Sequence, residues 1–160
     1  MTRIGTMFGL VAALLMGLAW AGPVLADGKG EIKYRKAVMK AVGGQMGAMK
    51  LIIKGQSGNK ANLVAHAEAM LSLAKLSASA FPKGSGPEAG KTRALPDIWA
   101  KWGDFEKVAQ AFVAESEKMV AAAKSGDMGV AGKQLGALGK GACGACHKPF
   151  RAKKKKKKKS

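Results

Sequence analysis

A spacing limits the fold of this chain more than any other feature. Between Asp27 and Ser160 apolar residues recur at alternating steps of three and four, and no stretch alternates with period two. Steps of three and four keep side chains on one stripe of an α-helix, whereas a half-buried strand needs period two. The chain is therefore read as helical throughout. Ile32, Arg35, Met39, Val42, Met46, Met49 and Ile53 form the first stripe and predict a helix over residues 31–54, with a single charge on its inner face. GQSGN interrupts the pattern, and Asn59 is the expected cap of a second helix reaching about Ala80, with Leu63, Ala67, Met70, Leu71, Ala74 and Ala78 inward.

Residues 81–96 hold Pro82, Pro87 and Pro96 together with Gly84, Gly86 and Gly90, which reads as a long loop. Loops of this length are often functional. Asp97 is the expected cap of a third helix on which Ile98, Trp102, Phe105, Ala109, Phe112, Ser116, Met119 and Ala123 step by four and three. A fourth begins near Asp127, turns Met128, Ala131, Leu135, Leu138 and Ala142 inward, and carries two cysteines at its far end. Four helices joined by two short turns and one longer loop predict an all-α fold, an antiparallel up-down four-helix bundle. Gly129, Gly132, Gly136, Gly139, Gly141 and Gly144 fall in the fourth helix. Each costs up to about 1 kcal/mol of helix propensity relative to alanine, so something besides propensity must hold it.

The first 26 residues have one charge, Arg3, then an apolar run over 7–21 and small residues before Ala26. This is the build of a secretory signal peptide over residues 1–26, and the run falls short of the roughly 20 residues a spanning helix needs. Removing it leaves 134 residues, which suit one domain over 27–152 and a charged tail over 153–160. Arg151 and the lysines at 153–159 supply eight of the remaining net +17. Such a tail is too self-repelling to fold on the bundle, and it suits an anionic membrane surface or an acidic redox partner. Export argues against nucleic acid.

Cys143, Cys146 and His147 occupy positions i, i+3 and i+4 of a helix and share one face. Zinc needs about four nitrogen or sulfur ligands, and the one other histidine, His66, has no second ligand spaced beside it. A thioredoxin-like pair belongs beside a βαβ unit, which this chain lacks. C-x-x-C-H is the established attachment motif for a c-type haem. The chemistry has a geometric reason: two thiols can add to two vinyl groups while the adjacent imidazole reaches the iron. One covalent haem c also offers an account of the glycines, since a flat macrocycle lets backbone pack close and replaces lost core.

The chain resembles the class II c-type cytochromes, the cytochrome c′ family with its low-spin His/Met relatives. The resemblance runs through YRKAVM (34–39), LPDIW (95–99) and GACGACHKPFR (141–151), and of these the haem motif alone is specific. It implies a four-helix bundle, His147 as proximal iron ligand, and Arg35 paired with a haem propionate. A buried guanidinium independently requires a partner. Family members often follow this arginine with glutamine, and here Lys36 stands instead. Thr92 and Arg93 are secondary candidates for the propionate edge. Met39, one turn beyond Arg35, is either a sixth iron ligand or an apolar plug on the distal side. Trp99, Trp102, Phe105 and Phe112 are expected in the core and haem wall, and His66 in an ordinary satisfied position.

No array of general acid, base and nucleophile is visible, so the expectation is a bacterial periplasmic one-electron carrier rather than an enzyme. The alternative is a five-coordinate, high-spin protein binding nitric oxide or carbon monoxide in an apolar distal pocket. The resemblance also implies a homodimer through the first two helices. A third reading makes the chain a polybasic adhesion module whose cysteines merely pair.

Overall fold

The computed structural model describes residues 27–153. The expected signal peptide and residues 154–160 of the tail lie outside that range. α1 (Gly28–Ile53) starts on Asp27, whose carboxylate accepts the backbone N–H of Lys29 at 3.1 Å. It begins three residues earlier than the periodicity suggests. Gly28 packs against the long loop, where a Cβ would run into the carbonyl oxygen of Gly84.

A 3-10 turn (Lys60–Asn62) leads into α2 (Leu63–Leu76). The second helix is shorter than expected at both ends. Asn59 makes no capping bond with its side chain, and its backbone N–H instead donates to Ser57 Oγ at 3.3 Å. The third helix is also divided, into α3 (Asp97–Ala100) and α4 (Trp102–Lys124), because Lys101 leaves the helical region with φ −121° and ψ 48°. Asp97 is not the cap; it lies within α3 and pairs with Lys101 Nζ at 2.9 Å. α5 (Met128–Ala137) begins where expected and is capped by Asp127, whose Oδ1 accepts from the N–H groups of Gly129 (2.7 Å) and Val130 (3.0 Å).

The last helix does not run on uniformly to the cysteines. Leu138–Gly144 is wound as a π-helix before α6 (Ala145–Phe150) resumes α geometry. π segments of this kind are uncommon and concentrate at functional sites. Gly132 and Gly139 admit α1, with a Cβ at either position falling 3.3 Å from Ile53 Cγ2 and 3.2 Å from Met46 Cε.

The bundle packs α1 beside α2 and α5, and α4 beside α2, α5 and the π segment. Two apolar clusters fill it. Met49, Leu63, Met70, Met119 and Leu138 anchor the larger, while Ala80, Phe81, Ile98, Phe105 and Phe150 form the smaller beneath the long loop. Among the described residues no strand forms; Ala94 and Arg151 make one isolated antiparallel bridge.

The Asp127 cap yields a pH prediction. The two backbone N–H groups, Val130 first and then Gly129, hold its carboxyl below the ordinary 3.8. The folded state therefore binds its proton later than the unfolded chain does, so the cap's contribution is complete above pH 3.8 and disappears as pH falls through the lowered value. Asp127→Asn keeps the acceptor and should flatten that segment of the acid-unfolding profile, measured by circular dichroism.

Candidate haem site

Between the two clusters lies a cavity of about 240 Å³ that opens to solvent. α1 contributes Arg35, Lys36, Met39 and Val42, and the end of α2 with the following turn contributes Ser77 and Phe81. Ile98, Phe105 and Phe112 come from α3 and α4. The π segment and α6 bring Cys143, Cys146, His147 and Phe150. The spacing of three and four residues thus does place both sulfurs and the imidazole on one cavity wall.

Arg35 is 4% exposed and organises the mouth. Its Nη1 donates to the Ala80 carbonyl (3.2 Å) and Ser85 Oγ (2.9 Å), and its Nη2 to the Ser85 carbonyl (2.8 Å) and Thr92 Oγ1 (3.1 Å). The guanidinium also stands 4.8 Å from the Phe81 ring centre and 5.9 Å from that of Trp99. Neutral acceptors therefore take the four hydrogen bonds of its two Nη atoms. Its charge remains: burial pushes its pKa down, and Glu31 and Glu88 oppose that shift from a distance.

The loop that holds Arg35 also holds the C-terminus. Leu95 N–H donates to the Phe150 carbonyl at 3.0 Å, Ala152 N–H to the Arg93 carbonyl at 2.8 Å, and Arg93 Nε to the Ala152 carbonyl at 2.8 Å. Lys36 Nζ adds a bond to the Lys91 carbonyl at 2.8 Å. Thr92 Oγ1 accepts from both Arg35 and the Ala94 N–H, which leaves its own proton free to donate.

The cysteines are free thiols. Burial raises the Cys143 pKa, and burial followed by the neighbouring Cys143 pushes Cys146 up to about 11. Both stay protonated near neutrality, unlike the low-pKa thiolate of a dithiol oxidoreductase. Burial, then Arg151 and Arg93, moves His147 down, so its imidazole is neutral and keeps a lone pair for a metal. Arg151 Nη1 lies 3.5 Å from His147 Nδ1, a contact too long for a strong hydrogen bond.

These features fit haem c. The walls are largely apolar, four cations (Arg35, Lys36, Arg93 and Arg151) surround the cavity without an Asp or Glu in its lining, and two thiols with one imidazole share the wall opposite α1 and α2. A planar apolar ring with two carboxylates at its edge matches that arrangement. The family described as Cytochrome C' matches residues 30–151. The chain belongs to the cytochrome c′ family. As a family member it is a c-type cytochrome, which binds covalently attached haem c. Similar proteins include the cytochrome c′ of Pararhodospirillum photometricum, 38% identical over 120 residues that cover 75% of this chain and 94% of the relative. The cytochrome c-556 of Agrobacterium fabrum is 37% identical over 148 residues, covering 91% and 95%. Among solved structures, a nitric oxide complex of a cytochrome c prime variant from Alcaligenes xylosoxidans superposes with TM-score 0.73 at 31% identity, covering 81% of this chain and 98% of that one.

All seven residues singled out from the sequence line this one cavity: Arg35, Met39, Thr92, Arg93, Cys143, Cys146 and His147. Phe105 and Phe112 do as well. Trp102 does not; it is 38% exposed and leans on Phe105 from outside. Trp99 stands behind the wall, donating its indole N–H to the carbonyls of Phe81 and Pro82 at 3.1 and 3.0 Å. His66 is satisfied by Gln45 at 2.7 Å. Sequence reasoning missed Ser77, Phe81, Ser85 and Phe150, which sit at helix ends or in the loop, where no periodicity marks an inward residue.

Ser85 Oγ both accepts from Arg35 and donates to the Pro82 carbonyl at 2.7 Å. Replacing it by alanine leaves a buried guanidinium proton short of an acceptor. Ser85→Ala should lower unfolding free energy in urea by about 1–3 kcal/mol, while the exposed Ser79→Ala should change it little.

Proposed function

We propose that this cytochrome carries one electron at a time in the bacterial periplasm. The reading rests chiefly on one observation: Cys143, Cys146 and His147 face a single apolar cavity with a cationic mouth. The bound haem supplies a one-electron Fe(III)/Fe(II) couple. Cys143 and Cys146 hold the ring by thioether bonds, and His147 ligates the iron from α6. Arg35 offers its charge to a propionate while its loop partners keep it oriented, and Thr92 and Arg93 serve the same edge. Met39 lines the cavity from α1, and its thioether would be available to the bound iron.

Phe81, Phe105, Phe112 and Phe150 exclude water from the metal, which favours the reduced, less charged state of the couple. Export through the segment over 1–26 puts it where covalent haem attachment takes place. The lysines at 153–159 draw it toward an anionic membrane surface or an acidic redox partner. Exposed Tyr34 and Leu51 on α1 and Leu76 on α2 supply apolar surface for a homodimer through those two helices.

A second reading is supported by the nitric oxide complex of the Alcaligenes relative. In it Met39 blocks the iron without binding it, and a diatomic gas competes for the site. Optical spectra separate the two. Ligation by Met39 gives a narrow low-spin α-band on reduction and a weak sulfur-to-iron charge-transfer band in the oxidised protein, and Met39→Ala abolishes both. A broad high-spin spectrum that is unchanged by Met39→Ala and altered by nitric oxide would replace the His/Met carrier with the gas-binding reading.

A further inference from the structure

Ser77 stands apart from every other serine in the described fold. Ser72 Oγ donates back to the Glu68 carbonyl at 3.0 Å, Ser79 to Leu76 at 2.9 Å, Ser116 to Phe112 at 2.8 Å and Ser125 to Ala122 at 2.7 Å. Ser85 donates to Pro82, and Ser57 accepts the N–H of Asn59. A helical serine ordinarily makes such a bond within its own turn. Ser77 is 6% exposed, and its hydroxyl has no partner at all. It caps the end of α2 and lines the haem cavity.

A buried hydroxyl without a partner is costly, and each case calls for an explanation. Here the place supplies one. Ser77 reaches the cavity from the end of α2, and Met39 and Val42 from α1, whereas Cys143 comes from the π segment and Cys146 and His147 from α6, which packs on α3, α4 and the π segment. The remaining polar side chains of the lining, among them Arg35, Lys36, Thr92, Arg93 and Arg151, belong to its charged mouth. Ser77 is therefore the lining hydroxyl outside that mouth, on a different element from the one that carries His147.

We propose that the Ser77 hydroxyl is a hydrogen-bond donor to a diatomic ligand bound on the distal side of the haem. The inference rests on the haem assignment above and changes one part of it: the distal wall is not wholly apolar. A donor there stabilises negative charge that shifts onto the outer atom of the bound gas. It thereby selects for ligands that accept such charge and slows their release.

Carbon monoxide on the reduced protein is the probe, used in a Met39→Ala background so that the sixth position is open under either reading of Met39. Adding Ser77→Ala should raise the C–O stretching frequency, because the hydrogen bond no longer draws charge onto the oxygen. It should also speed carbon monoxide release about fivefold, the equivalent of one neutral hydrogen bond. Ser77→Thr retains the hydroxyl and should keep the frequency near that of the Ser77 protein. An unchanged stretch and release rate in Ser77→Ala, with covalent haem still present after denaturation, overturns the role of Ser77 alone. If denaturation leaves no haem on the polypeptide, the haem assignment itself is wrong.

Discussion

The site depends on one buried charge. Arg35 lies on the inner stripe of α1, and removing a guanidinium from water is expensive unless its protons are taken up. The loop over 81–96 does this with the Ser85 and Thr92 hydroxyls and the Ser85 carbonyl, joined by the carbonyl of Ala80 just before it. In doing so it is fastened to α1. The same loop then reaches residues 150–152 through Arg93, Ala94 and Leu95. One cation thus connects α1, with Met39, to the strand-like end of α6, with His147 four residues before Arg151. The cavity keeps its shape because both walls are tied to one loop.

That arrangement also explains the electrostatics. Ser85, Thr92 and the Ala80 carbonyl accept from both Nη atoms of Arg35 without cancelling its charge, and Lys36, Arg93 and Arg151 add theirs around the opening. Burial, then the charges of Arg151 and Arg93, lowers the proton affinity of His147, and the four cations leave an anion-seeking rim around an apolar interior. The raised thiols of Cys143 and Cys146 lack the thiolate character of a site that cycles between dithiol and disulfide.

Much of this was legible in the residues, and what was not has physical causes. Stripes with three- and four-residue steps located the helices because burial of one face produces them. The spacing of Cys143, Cys146 and His147 specified a shared face regardless of how the preceding turn is wound. The break at Lys101 was invisible because Ile98, Trp102 and Phe105 continue the same stepping across it, although Trp102 ends outside the core. The π winding over 138–144 left no mark on the pattern, since small residues tolerate either geometry. Arg35 was correctly expected to be buried, but its partners were not foreseen. Ser85 and Ala80 become neighbours only when the loop folds over α1, 45 to 50 residues away in the chain.

The central claim is that this cavity is occupied by one haem bonded to both cysteines. The intact mass of the chain, produced with the cell's haem-attachment apparatus and measured under denaturing conditions, tests it most directly. The account predicts the mass of the exported polypeptide plus one haem, falling to the bare polypeptide when Cys143 and Cys146 are both replaced by alanine. A wild-type mass equal to the polypeptide alone, or two hydrogens lighter through a Cys143–Cys146 disulfide, would contradict it.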